Sequence, residues 1–141
     1  MTQMTLAIVK PDAVAAGSAG KIVAFLEQEG FIVRALRKQR LSEAQARAFY
    51  AVHEQRPFYG SLVAFMTSGP VMPLALERED AVAYLREVMG ATDVAKAAPG
   101  TIRNLYGSSI ERNAIHGSDS PDNARAELAF FFSQAELLAA Q

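Results

Sequence analysis

The chain has 141 residues, half of them hydrophobic, which is enough for one domain, residues 1–141, to bury a core without covalent staples. It has no cysteine, so disulfides and thiolate metal sites are excluded, and no stretch reaches the roughly 18 apolar residues of a membrane span. A net charge of −1 provides no basic field for nucleic acid or anionic lipid, and the opening MTQMTLAIVKPD lacks the basic start of a secretory leader, so a cytoplasmic protein is expected.

In chain order, MTLAIV (residues 4–9) reads as a buried strand stopped by Lys10-Pro11-Asp12. GKIVAFLEQEG (20–30) spaces Ile22, Val23, Phe25 and Leu26 as a helix does, with Gly30 as its stop. FIVRALRKQRL (31–41) is a second strand. Ser42 and Gln45 form a capping-box pair opening a helix through SEAQARAFYAVH. SLVAFM (61–66) is a short helix, and VMPLALE (71–77) a third strand in which Pro73 points to an edge or a bulge.

REDAVAYLREVMG (78–90) is an amphipathic helix ended by its glycine. Residues 91–119 form a long irregular loop with a turn of helix near 101–105. Ser120-Pro121 opens a helix through about Leu128, ELAFFF crosses into a last strand, and SQAELLAA is a terminal helix. Without its extra helices this is the ferredoxin-like β-α-β-β-α-β order: an α+β fold, a four-stranded antiparallel sheet with helices on one face. So long a loop inside a compact domain is usually functional, and His116 stands at its end.

Several chemistries fail on the residues. GSAGKI (17–22) has Ala15 where a phosphate loop needs its first glycine, and Ile22 where it needs a hydroxyl. Two histidines without cysteines make a poor zinc site. The Ser, His and Asp of HGSDS are too close in sequence to converge as a triad, and no G-x-S-x-G is present. What remains is His116 as a nucleophile towards phosphorus. Gly117 would leave space around the ring, Asn113 and Ser118 would donate, Glu127 would fix the tautomer, and Arg86 and Arg103 would take the phosphates. The plainer alternative is a solvent-facing histidine in a polar loop flanked by surface charges.

IVKPDAV (8–14), YAVHEQRPF (50–58), FMTSGPV (65–71), LREVMGAT (85–92), PGTIR (99–103) and NAIHGSDS (113–120) together resemble the nucleoside diphosphate kinase family, in its order and spacing. The resemblance implies ping-pong transfer of a γ-phosphoryl group, typically from ATP, to a nucleoside diphosphate through a phosphohistidine on His116. It implies that Glu127 holds the far ring nitrogen, that Ser118 supports that pair, and that Tyr50 approaches the phosphohistidine. Arg86, Thr92, Arg103 and His53 match phosphate contacts, Lys10 and Asn113 the ribose 3′-hydroxyl, and Phe58 and Ile110 the faces around the base. Lys10 also lies near the transferred phosphate. Mg2+ is expected to arrive on the nucleotide rather than in a protein cage.

The family is oligomeric, so a tetramer or hexamer built from dimers is expected, with no membrane or specific nucleic-acid partner. Leu105, Arg78 and Asp93-Val94 depart from the common pattern, which bears on loops and subunit contacts and not on catalytic groups. Two other readings of the same fold stay open: a nucleotide-binding module without catalysis, and a regulator that passes its phosphate to another protein.

Overall fold

The computed structural model describes residues 2–140. Strand β1 (Thr2–Val9) runs through the middle of the sheet because its second half is apolar without alternation, and Leu6, Ala7, Ile8 and Val9 are all fully buried. Such a run belongs to a strand covered on both faces. Two short helices follow, α1 (Pro11–Ala15) and α2 (Ala19–Gln28), then strand β2 (Ile32–Leu36). Helix α3 (Glu43–Phe49) starts at the expected capping box, in which Ser42 Oγ accepts from the Gln45 amide and the Gln45 side chain accepts from Ser42. After a 3-10 turn at Ala51–His53 come helix α4 (Tyr59–Met66), strand β3 (Met72–Glu79) and helix α5 (Ala81–Met89). The long connection holds a 3-10 turn (Val94–Lys96) and helix α6 (Ile102–Tyr106), and ends in strand β4 (Ile115–Gly117). Helices α7 (Pro121–Phe131) and α8 (Gln134–Leu137) close the chain.

The strands pair antiparallel in the order β2-β3-β1-β4, the ferredoxin-like arrangement. Helices cover both faces, however, not one. Leu6 and Ile8 bury against Ala46, Val63, Met66, Leu128 and Phe131 of α3, α4 and α7. Their neighbours Ala7 and Val9 bury against Ile22, Leu26, Leu85 and Met89 of α2 and α5. Alternate residues of a strand point to opposite faces, so these are two cores with the sheet between them. Each fully buried Leu or Ile contributes about 1.5–3 kcal/mol.

The last strand is not ELAFFF. α7 runs on to Phe131, because Ala124, Leu128 and Phe131 recur at helical spacing and fill one core, which outweighs the β preference of three phenylalanines. The true fourth strand lies inside the expected loop and is three residues long, too short for an alternating pattern to mark it.

Pro73 lies neither on an edge nor at the bulge. β3 is an inner strand, and the bulge falls in β2 between Val33 and Ala35. Arg37 donates its amide to the Pro73 carbonyl, and Pro73 has no N–H to return. The missing donor therefore faces the segment where regular β2 has just ended, and pairing resumes only as the Gln39–Val71 bridge.

β4 pairs with β1 in the register Ala7–Gly117, Ile8–His116 and Val9–Ile115. His116 therefore shares the face of Ile8, while Gly117 points to the other. A Cβ at Gly117 would lie 2.5 Å from Met89 Sδ and 3.0 Å from Leu85 Cδ2. The glycine is demanded by the close approach of α5, not by space around the imidazole. Gly117→Ala is expected to cost about 1–3 kcal/mol by overpacking. A urea denaturation midpoint unchanged from the parent would refute that account.

Candidate active site

β4 presents His116 towards α3 and α7, and helices α5, α6 and α7 with the connections around them bring other groups to it. His116 Nε2 and Glu127 Oε1 are 2.8 Å apart, and Ser118 Oγ donates to the same oxygen at 2.8 Å. Glu127 reaches back because α7 begins sharply: Ser120 caps it by accepting from Asn123 N, and Pro121 takes the first turn. A carboxylate on Nε2 makes that nitrogen the protonated one and leaves the lone pair on Nδ1. Aromatic edges confine the ring, Phe49 at 5.4 Å and Tyr50 at 6.0 Å between centroids. Tyr50 has its hydroxyl buried without a hydrogen-bond partner; burial, followed by the Glu127 charge, pushes its pKa well up.

Lys10, immediately after β1, donates from Nζ to Asn113 Oδ1 at 2.8 Å. The Asn113 amide nitrogen donates in turn to the carbonyls of Thr92 and Ile110. Burial, and then the nearby Arg103 charge, lowers the Lys10 pKa to about 8. Arg103 is also buried; it donates to the Gly90 carbonyl at 3.1 Å and the Ile115 carbonyl at 2.8 Å, and its Nε has no partner. Burial and then the Arg86 charge lower its pKa to about 10. Arg86 itself donates to the Gly117 carbonyl at 3.3 Å. Cations packed together against carbonyls, with a donor unused, are suited to an anion.

A cleft of about 730 Å³ opens over these groups. It is lined by Lys10, Tyr50, His53, Phe58, Arg86, Thr92, Arg103, Ile110, Asn113, His116 and Glu127. The structure thus brings all the candidate residues together, eleven of them lining the cleft and Ser118, fully buried, joined to it through Glu127. Phe58 and Ile110 form an apolar mouth, 47% and 63% exposed, and the His53 ring lies 5.4 Å from Phe58. Phe49 and Glu111 also line the cleft and were not anticipated. Phe49 carried a legible signal, since it directly precedes Tyr50 at the end of an amphipathic helix. Glu111 carried none.

Among the described residues no three His, Cys, Asp or Glu side chains gather as a metal-binding group. The donor set of the cleft is mainly cationic, which fits a metal only if the phosphates supply most of its oxygens. No helix among the described residues is long and apolar enough to cross a membrane.

A model of the nucleoside diphosphate kinase family matches residues 3–137. A nucleoside diphosphate kinase of Gluconacetobacter diazotrophicus is 56% identical over 137 residues, 97% of this chain and 98% of its own. One of Sorangium cellulosum is 55% identical over 96% of this chain and 94% of its own. Among solved structures, the nucleoside diphosphate kinase of Aquifex aeolicus superposes with a TM-score of 0.94 at 46% identity, covering 98% of this chain and 100% of that one. The Halobacterium salinarum enzyme, solved in complex with CDP, gives 0.94 at 43% identity, over 100% of this chain and 94% of that one. With a cleft of this composition and a match along nearly its whole length, the chain belongs to the nucleoside diphosphate kinase family.

Proposed function

We propose that the protein is a nucleoside diphosphate kinase that moves a γ-phosphoryl group from a nucleoside triphosphate to a diphosphate by way of His116. The observation that carries this is the Ser118–Glu127–His116 relay, which leaves one imidazole nitrogen unprotonated in a cleft lined by Lys10, Arg86 and Arg103. His116 Nδ1 attacks the γ-phosphorus; the N–P bond forms as the bond to the β–γ bridging oxygen breaks, and the diphosphate leaves with that electron pair. Glu127 keeps the proton on Nε2 and steadies the cationic ring, held in turn by Ser118. A second diphosphate then enters the same cleft and the transfer runs in reverse.

Arg86, Arg103, Thr92 and His53 act on the phosphates, and the Tyr50 hydroxyl supplies a donor near the phosphorylated ring. Lys10 and Asn113 hold the ribose 3′-hydroxyl, with Lys10 also serving the transferred group. Phe58 and Ile110 take the base between them, and the CDP held by the Halobacterium relative is consistent with a slot that tolerates a small base. Mg2+ carried on the phosphates supplies charge neutralisation along the polyphosphate. The 1–141 chain acts as one domain in the cytoplasm and assembles as a tetramer or hexamer. The free edge strand β2, with Ile32 and Leu36 about half exposed, is suited to such an assembly.

Incubation with ATP labelled on its γ-phosphate and Mg2+ is expected to give acid-labile labelled protein, absent in His116→Ala, and to pass the label to GDP. Label that forms but ignores GDP would favour protein-directed transfer, and absence of label from folded wild type would sink the catalytic reading.

Since Lys10 titrates at about 8, kcat/KM for MgATP should fall above about pH 8 as the free enzyme loses that charge. Its folded pKa lies below the unfolded 10.5, so the unfolded state binds more protons between these values and Lys10's contribution makes stability rise with pH there. Activity lost in that window without a lower denaturation midpoint is the expected pattern; a flat kcat/KM profile to pH 9.5 would refute it.

Phe58→Ala should raise KM for purine and pyrimidine nucleotides alike, by about 1–2 kcal/mol or roughly five- to thirtyfold, with kcat nearly kept. An effect on kcat alone would remove Phe58 from the base slot.

A further inference from the structure

Asn113 and His116 are separated by a backbone turn that a non-glycine residue rarely adopts. Ala114 has φ +73°, and the Ile115 amide donates to the Asn113 carbonyl at 2.9 Å, which is a γ-turn of the strained, positive-φ kind. Ala114 is fully buried, so bulk solvent does not reach its backbone. Both of its backbone groups are instead taken by the segment that follows β1. The Lys10 amide donates to the Ala114 carbonyl at 2.8 Å, and the Ala114 amide donates to Asp12 Oδ2 at 3.1 Å.

Resting on the kinase reading above, we infer that Asp12 is a positioning residue: its carboxylate holds Ala114 in the left-handed turn and so sets Asn113, which grips the sugar, against His116, which takes the phosphate. Without that acceptor, Ala114 is free to return to negative φ, which rotates the peptides between the two contacts. Displacements of about 1 Å at a reacting centre can cost a hundredfold in rate. Asp12 also lies within electrostatic reach of Lys10, whose pKa its charge raises, so a purely electrostatic role is the competing account. The two accounts separate chemically: the turn needs an acceptor oxygen at Oδ2, whereas the charge effect needs ionisation.

The test measures the rate of His116 phosphorylation at saturating MgATP, with urea denaturation of the same proteins. Asp12→Ala should slow phosphorylation by about tenfold or more, whereas Asp12→Asn, which keeps an acceptor oxygen, should stay within about threefold. Adding Ala114→Gly to Asp12→Ala should restore much of the lost rate, because glycine adopts positive φ without a clasp. The denaturation midpoint should also gain more from Ala114→Gly in the Asp12→Ala background than in the wild type. Wild-type rates in Asp12→Ala, equal losses in Asp12→Asn and Asp12→Ala, or no rescue by glycine would each overturn the inference. If Asp12→Ala alone does not fold, the double variant decides: folded and active supports the inference, folded and inactive overturns it. If neither folds, Asp12→Asn decides, a tenfold loss overturning it and near-parental rates supporting it. The midpoint coupling needs no catalysis, so failure of the kinase reading, seen as unlabelled wild type, is distinct from failure of the clasp.

Discussion

The strand that carries His116 is three residues long and lies at an edge of the sheet, and it is kept in place by pairing with β1. Ile115–Gly117 is too short to be stable alone. It is fixed because Ile8, opposite His116, and its neighbours on β1 are wholly buried between two helical layers. The same strand delivers Lys10 as it leaves the sheet, and Lys10 ties back to Asn113 just ahead of β4. Both sides of the site are thus referred to one rigid element. Helices α5 and α6 add two cations, each anchored by a hydrogen bond to the backbone of β4, Arg86 to Gly117 and Arg103 to Ile115.

That arrangement carries an electrostatic cost. Arg103 has its hydrogen bonds on carbonyl oxygens and keeps a buried Nε without a partner, while its neighbours Arg86 and Lys10 repel it. An anion relieves all three, so ligand binding and stability are linked. The cluster is thus suited to a negative charge that a ligand brings with it.

Much of this was legible in the residues, and the parts that were not have physical causes. The capping box at Ser42, the proline start of α7 and the glycine end of α5 are local signals and mark their helices directly. Glu127 was within reach because a helix following HGSDS returns a side chain towards the histidine. Lys10, 103 positions from Asn113, could be joined to it only through family resemblance, since no local pattern encodes so distant a contact. β4 escaped notice because three residues carry no periodicity. α7 was cut short because a run of phenylalanines favours strands in isolation, and only the packing of Leu128 and Phe131 on β1 shows otherwise. Gly117 was rightly singled out for its size but for the wrong neighbour, as its missing Cβ faces Met89.

The cleft over His116 opens past apolar Phe58 and Ile110, and on the proposed mechanism both halves of the reaction use that one cleft. Donor and acceptor then never meet. Each nucleotide must leave before the next can enter, so a diphosphate that settles on the unphosphorylated enzyme occupies the place of the next donor. The protein becomes a reader of ratios: its throughput follows the balance of triphosphate to diphosphate in its surroundings, and excess acceptor slows the reaction that consumes it.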